Sequence, residues 1–144
     1  MRKIQFRGKR TDNGEWVYGV PVIGITSGVF MVWIESEAKR GRGELSLKDV
    51  VRQAEVIPET VGQYTGLKDK NGEEIYEGDI VKWGHLNQWS REQPHRIAEV
   101  KFDPDIQFHS QVGVFNFGSF AYRDTTETDL EVLGNIYENP ELMV

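Results

Sequence analysis

The chain contains no cysteine among its 144 residues. This absence excludes disulfides, thiolate metal ligands and cysteine nucleophiles. An excess of basic residues is also absent, since 17 Lys and Arg stand against 23 Asp and Glu, for a formal net charge of −6. That charge balance argues against a nucleic-acid footprint spread over the whole chain.

Long apolar runs are missing as well. The longest, residues 29–34, has the length of a strand, whereas a membrane-spanning helix needs roughly 20 apolar residues. Residues 1–7 carry charges but lack the apolar stretch and the small-residue cleavage site of a secretory signal. These absences predict a soluble, cytoplasmic protein that makes no use of a membrane.

The sequence also lacks the motifs that are typical of catalytic sites. The sequence holds no nucleophile elbow, phosphate-binding loop or dinucleotide fingerprint. Its histidines follow no spacing typical of metal ligands; they are His85, His95 and His109. The sequence therefore predicts a protein that is not an enzyme and carries neither a metal nor a cofactor.

The composition and local patterns of the chain are typical of a β protein. Fifteen glycines and sixteen aromatic residues punctuate short segments rich in valine, isoleucine and aromatics. We expect a mostly β fold, either a small barrel or two small packed sheets, with an SH3-like element as an option in the second half. We expect a single domain over residues 1–144, or two subdomains, 1–58 and 59–144.

The strands and turns follow from local patterns. Residues 15–22 alternate as a strand, and Pro21 predicts an edge there because proline cannot donate to a ladder. Residues 29–34 are apolar throughout, which predicts a strand buried on both faces, or one with a second face under a partner. Gly72 and Gly78 sit in turns that favour positive φ. Further strands are expected at 80–83, 98–102, 107–117, 119–123 and 130–137.

Two polar stretches, residues 36–45 and 84–95, predict long exposed loops. Between them, apolar residues recur at helical spacing over residues 47–54, which predicts one short amphipathic helix. The residues that set this spacing are Leu47, Val50, Val51 and Ala54.

Two clusters are candidates for function. Aromatic and basic residues gather around the second loop, where exposed tryptophans would stack on nucleic-acid bases or form a protein hot spot; they are Trp83, His85, Trp89 and Arg91. The second cluster is acidic and could supply paired carboxylates for an enzyme. This is the least favoured hypothesis, because nothing in the sequence brings the carboxylates to one pocket. The cluster consists of Glu73, Glu74, Glu77 and Asp79.

Two segments resemble a known family. The string GQYTGLKDKNGEEIYEGDIV at residues 62–81 and the string VLGNIYENPEL at residues 132–142 are similar to motifs of the YopX family of phage and prophage proteins. The opening residues 4–9 resemble its first strand. The resemblance implies a mostly β protein encoded by a phage or prophage, and it carries over no catalytic residue.

Taken together, these observations predict an accessory phage protein that binds protein and forms homo-oligomers, with an unknown phage or host protein as a further partner. Nucleic-acid binding by a small β-barrel is the alternative, which the net charge of −6 does not support. A carboxylate-dependent enzyme is the second alternative.

Overall fold

The computed structural model describes residues 3–41, 43–82, 97–102, 106–110, 113–116 and 130–143. These residues fall into two compact units, one of Gln5–Gly62 and one of Gln63–Val144 together with Met1–Ile4. Each unit is built from antiparallel strands, which confirms the predicted mostly β class. Within the described ranges no sheet closes on itself, so the barrel alternative is wrong. The choice between a single domain over residues 1–144 and two subdomains, 1–58 and 59–144, stays a prediction.

The first unit is a four-strand meander in the order β4-β3-β2-β1. Its strands are β1 (Phe6–Lys9), β2 (Trp16–Gly24), β3 (Gly28–Gly41) and β4 (Glu44–Val56), followed by a 3-10 helix at Pro58–Thr60. Pro21 lies beyond the residues of β2 that pair with β1 and faces Met31 of β3. At that point β2 is paired on one side only among the described strands, as the sequence predicted.

The base of this meander is tied together where β4 ends. The Thr11 amide donates to the Glu55 carbonyl at 3.1 Å, and the Ile57 amide donates to the Lys9 carbonyl at 2.8 Å. The Thr60 hydroxyl accepts from the Lys9 amide at 2.9 Å. These bonds curl the sheet around a small core at its base, made by Met31, Ala54 and Val56.

Two predictions fail in this unit. The expected helix over residues 47–54 is part of β4, and the expected loop over residues 36–45 forms the end of β3, a turn and the start of β4. The physical reason is non-local: every residue of β4 pairs with β3 without a register shift. Those cross-strand bonds outweigh helical spacing, which the β-branched pair Val50 and Val51 supports only weakly.

The second unit contains a hairpin of β5 (Gly62–Lys68) and β6 (Glu74–Tyr76). It also contains a five-stranded sheet in the order β10-β9-β8-β7-β11. The strands of that sheet are β7 (Asp79–Lys82), β8 (Ile97–Phe102), β9 (Ile106–Ser110), β10 (Gly113–Asn116) and β11 (Glu131–Asn135). A 3-10 helix at Pro140–Met143 follows.

The strands predicted at 80–83 and 98–102 are confirmed as β7 and β8, apart from residue 83, which lies outside the described residues. The single strand predicted over 107–117 is wrong, because β9 and β10 pair as two antiparallel strands. Residues 84–95 and 119–123 also lie outside the described ranges. The core of this unit consists of Leu67, Ile75, Val81, Ala98, Val100, Ile106, Phe108 and Leu130.

Candidate functional site: an exposed apolar sheet face

The four residues predicted to bind lie outside the described part of the chain; they are Trp83, His85, Trp89 and Arg91. Their role at a nucleic-acid or protein contact therefore stays a prediction. His85 and His95 also fall outside, whereas the His109 Nε2 lies 2.8 Å from the Gln107 Oε1 on the same strand.

The acidic cluster does not form one site. Asp79 is buried, and its Oδ2 accepts a hydrogen bond from the Tyr76 amide at 2.8 Å. Glu74 is partly buried and its Oε1 lies 3.2 Å from the Lys3 Nζ, while Glu73 is exposed. Asp79 and Glu74 have different partners, and Glu73 and Glu77 differ from Asp79 in exposure, which argues against one shared pocket.

Asp69, which precedes that cluster, has a structural task. It is buried, and its Oδ1 accepts from the backbone amides of Asn71 and Glu73, both at 2.9 Å. Its Oδ2 accepts from the Val132 amide at 3.0 Å. One carboxylate thus closes the turn after β5 and attaches that turn to β11. Gly72, in the same turn, has φ +80°, which confirms the sequence prediction.

The C-terminal motif is organised in the same way. The Asn135 Oδ1 accepts from the amides of Tyr137 and Glu138 at 3.0 and 2.9 Å. The Ile136 amide donates to the Gly78 carbonyl at 2.9 Å, and Gly78 has φ +91°. Asp69 and Asn135 therefore hold the backbone of the two motifs, and Gly72 and Gly78 shape their turns.

One charged cluster lies near the end of β7. The Glu131 Oε2 is 3.0 Å from the Lys70 Nζ and 3.1 Å from the Lys82 Nζ. Hydrogen bonds from Lys70 and then Lys82 lower the pKa of the Glu131 carboxyl below its ordinary value. All three side chains are at least partly exposed, as expected for a surface ion-pair cluster.

Across the described ranges, no group of three or more histidine and acidic side chains is placed to hold a metal ion. The helices of the described chain are too short and too polar to cross a bilayer.

The first unit presents an unusual surface instead. Residues directly opposite in an antiparallel sheet share a face, so the register places Val20, Val32 and Gln53 on one face, together with Ile34 and Val51. That face carries exposed apolar side chains on three adjacent strands. We call it the apolar face; its exposed members are Tyr18, Val20, Val22, Ile34, Leu47 and Val51.

The other face of the same strands is covered only near the base of the meander. Met31 and Ala54 lie opposite each other there and are buried, Met31 completely. By contrast, Ile34 and Val51 remain 67% and 68% exposed. The prediction that residues 29–34 are buried on both faces is therefore wrong within this chain. Its alternative, that a partner covers the second face, stays a prediction.

Part of this surface stands on a two-stranded arm. Pairing of β2 with β3 reaches Val20 opposite Val32, whereas the β3–β4 ladder continues to Gly41 opposite Glu44. We call residues 33–41 and 44–52 the arm. An isolated hairpin is at best marginally stable in water, so an arm of this length is expected to gain stability from a surface that covers it.

The two sides of the arm differ in chemistry. On one side, Arg52 pairs with Glu37, its Nε lies 3.4 Å from the Glu35 Oε2, and the Trp33 Nε1 donates to the Glu35 Oε1 at 2.9 Å. On the other side, the same strands expose the apolar members Ile34, Leu47 and Val51. The arm therefore has a solvated, ion-paired side and a side that exposes these apolar residues beside the hydrogen-bonded pair Ser36 and Asp49.

Sequence reasoning missed the apolar face because it treated residues 47–54 as a helix. In a helix, Leu47, Val50, Val51 and Ala54 share one side. In β4 they alternate, so that Leu47 and Val51 face outward while Ala54 is buried. The sequence signal for a strand was the β-branched pair Val50 and Val51, together with the apolar segment 29–34 as a possible partner strand.

Comparison with known proteins agrees with this architecture. The model of the YopX protein family matches residues 5–144. Among solved structures, the chain is similar to the crystal structure of protein EF1440 from Enterococcus faecalis, with a TM-score of 0.61 and 25% sequence identity over 100% of both chains. The search of curated proteins found no match.

Proposed function

The chain belongs to the YopX family, and on that premise we propose that it is an accessory protein encoded by a phage or prophage, a protein-binding and oligomerising module without catalysis of its own. It acts in the cytoplasm of the bacterial host. The exposed apolar face of β2, β3 and β4 is the observation that carries this proposal.

The exposure and position of the apolar side chains support a role in association. Six large apolar side chains spread over three neighbouring strands are exposed together. Monomeric proteins rarely expose contiguous apolar patches larger than a few hundred Å², and larger patches mark interaction sites. Scattered single residues would need no such explanation.

The partners of two acidic residues in the motif segment support the part of this proposal that excludes catalysis. Asp69 and Asp79 are buried and accept hydrogen bonds from backbone amides. A general acid or base must instead reach a substrate proton from a pocket. These two carboxylates are occupied in holding turns, so they favour a binding module over an enzyme.

Site-specific photo-crosslinking in the bacterial host tests the proposal. A photoreactive phenylalanine analogue replaces Val22 or Ile34 of the apolar face, and Glu59, an exposed residue of the first 3-10 helix, is the control position. We expect a discrete crosslinked protein from each face position and none from Glu59. If the face positions give no adduct, the apolar face is not an association surface and the proposal fails.

A further inference from the structure

We infer that the tip of the arm binds duplex DNA through cations that contact the phosphates of its backbone. The residues that carry this contact are Lys39 and Arg40, at the end of β3. The inference goes beyond the proposed function, because it assigns to the arm a second surface and a partner of a different chemical class. Its basis is the distribution of charge along the arm and the length of the arm.

Several cations elsewhere in the described chain are neutralised by neighbouring carboxylates. The Arg10 Nη2 lies 2.7 Å from the Asp12 Oδ2, and the Lys3 Nζ lies 3.2 Å from the Glu74 Oε1. Further ion pairs engage Arg52 and Lys101. These cations are therefore used within the molecule and leave little positive charge for a partner.

The tip of the arm has a different charge pattern. Residues 39–43 read Lys-Arg-Gly-Arg-Gly, with three cations and no carboxylate in five positions. The register places Ser46 opposite Lys39 and Leu45 opposite Arg40. Directly opposite residues are the nearest cross-strand neighbours in an antiparallel sheet, so the nearest cross-strand neighbour of each of these cations is neutral.

The rest of the last five pairs of the arm does not cancel this charge. Ala38 and Leu47 form a neutral pair, and Glu37 lies opposite Lys48. Glu44, in the pair nearest the turn, is the single carboxylate left against the three cations. The end of the arm therefore has a net positive charge.

The length of the arm separates this charge from the base of its unit. The arm runs for nine cross-strand pairs, from Trp33 opposite Arg52 to Gly41 opposite Glu44. At about 3.3 Å per residue this is roughly 26 Å, whereas exposed charges are largely screened beyond about 8 Å at physiological ionic strength. Within its unit, the potential at the tip is therefore set by the residues near the tip.

The form of the arm favours duplex DNA among polyanions. Pairing of β2 with β3 ends at Val20 opposite Val32, so the arm is two strands wide. The major groove of B-DNA, about 12 Å wide, admits a two-stranded ribbon, whereas that of duplex RNA is too narrow for side chains to read. Gly41 and Gly43 carry no side chain, which lets the backbone of the tip approach the groove closely.

An anionic bilayer is a poorer match for this tip. Surfaces that bind a bilayer combine cations with apolar side chains that enter the boundary between headgroups and acyl chains. Residues 39–43 include no apolar side chain. The chemistry of the tip therefore suits phosphates that are reached from outside, as on a nucleic-acid backbone.

Fluorescence anisotropy of a labelled DNA duplex, titrated with the full chain, tests the inference. Each phosphate contact adds about 0.9 to the slope of log affinity against log salt. Two contacts thus predict that binding weakens about twelvefold between 50 mM and 200 mM salt. We expect a fall at least this steep, since Arg42 adds a third cation to the sequence of the tip.

Two arginine variants of the arm locate the contact. Arg40→Gln removes a cation at the tip, and we expect it to lower the salt slope by about 0.9. Arg52→Gln is the matched control, because Arg52 pairs with Glu35 and its β3 neighbour lies seven residues from Arg40, roughly 23 Å along the arm. We expect Arg52→Gln to leave the slope unchanged. Arg40→Lys retains the cation and is expected to retain the slope.

The contrary outcomes are distinct. No change in anisotropy at 50 mM salt overturns the inference. Equal effects of Arg40→Gln and Arg52→Gln overturn it as well, because binding would then follow the charge of the whole chain. Tighter binding to duplex RNA or to vesicles of anionic phospholipid than to the DNA overturns the choice of partner. Photo-crosslinking at Val22 reports on the apolar face, so the proposed function stands or falls independently of these results.

Discussion

The two YopX motif segments and the β3–β4 arm use their side chains in opposite ways. In the motifs, Asp69 and Asn135 turn inward and accept hydrogen bonds from backbone amides. On the arm, Ile34 and Val51 face solvent, and the ion pairs of Arg52 join side chains within the same hairpin. The motif side chains hydrogen-bond the backbone of their own turns, whereas the arm side chains lie at its surface.

The largest expected effect on stability concerns Asp69, in the first of the two motif segments. Asp69→Ala removes one buried carboxylate that accepts hydrogen bonds from three backbone amides. Bonds to a charged acceptor and the penalty for buried unsatisfied donors predict a loss of roughly 3 kcal/mol in the free energy of unfolding. Urea denaturation followed by tryptophan fluorescence measures it.

Asp49→Ala on the arm is the matched control for Asp69→Ala. Asp49 is exposed, and its Oδ1 accepts from the Ser36 hydroxyl at 3.0 Å. Surface substitutions of this kind usually change stability by no more than about 0.5 kcal/mol. Equal losses for Asp69→Ala and Asp49→Ala would show that the motif carboxylate has no special structural role.

Much of this division follows from local sequence. The turns at Gly72 and Gly78, the strands β7 and β8 and the β class are all predictable, because turn residues and period-two alternation act over a few neighbours. The arm was not predictable, because β4 is fixed by residues that pair with it from β3. Helical spacing of Leu47, Val50, Val51 and Ala54 contains no information about that partner strand.

The candidate site was also only partly predictable from the sequence. Sequence reasoning considered carboxylates such as Glu74 and Asp79 as candidates because acidic clusters can act in catalysis. It could not show that Asp79 is buried against the Tyr76 amide. Nor could it show that Val20 and Ile34 are exposed, since apolar residues in strands are ordinarily expected in a core. Exposure is a property of packing, which only the folded chain displays.

A second substitution pair sharpens the contrast between core and apolar face. Val81→Thr introduces a hydroxyl at a position with no solvent exposure, in the core of the second unit. Burial of an uncompensated hydroxyl predicts a loss of about 2 kcal/mol. Val20→Thr makes the same chemical change at a position that is 55% exposed. There we expect a change within about 0.5 kcal/mol.

Both residues are β-branched, so the intrinsic strand preference is retained in each variant. The measurement is the free energy of unfolding at a protein concentration low enough to keep the chain dissociated. A loss at Val20 comparable with that at Val81 would mean that the apolar face supports the fold of its own unit, and the case for an association surface would weaken.

The smallest expected effects separate backbone conformation from crowding in the motif. Gly72 has φ +80°, and a Cβ there would meet no atom within 4 Å. Gly72→Ala therefore costs only the strain of a left-handed residue, about 1 kcal/mol.

Gly78 has φ +91°, and a Cβ there would lie 2.9 Å from the Tyr137 Cε2. Gly78→Ala should cost more than Gly72→Ala, because Tyr137 must also shift. Thermal unfolding of the two variants tests this order. Equal losses would show that the Tyr137 ring yields freely, and that the contact between the two motif segments at this point is loose.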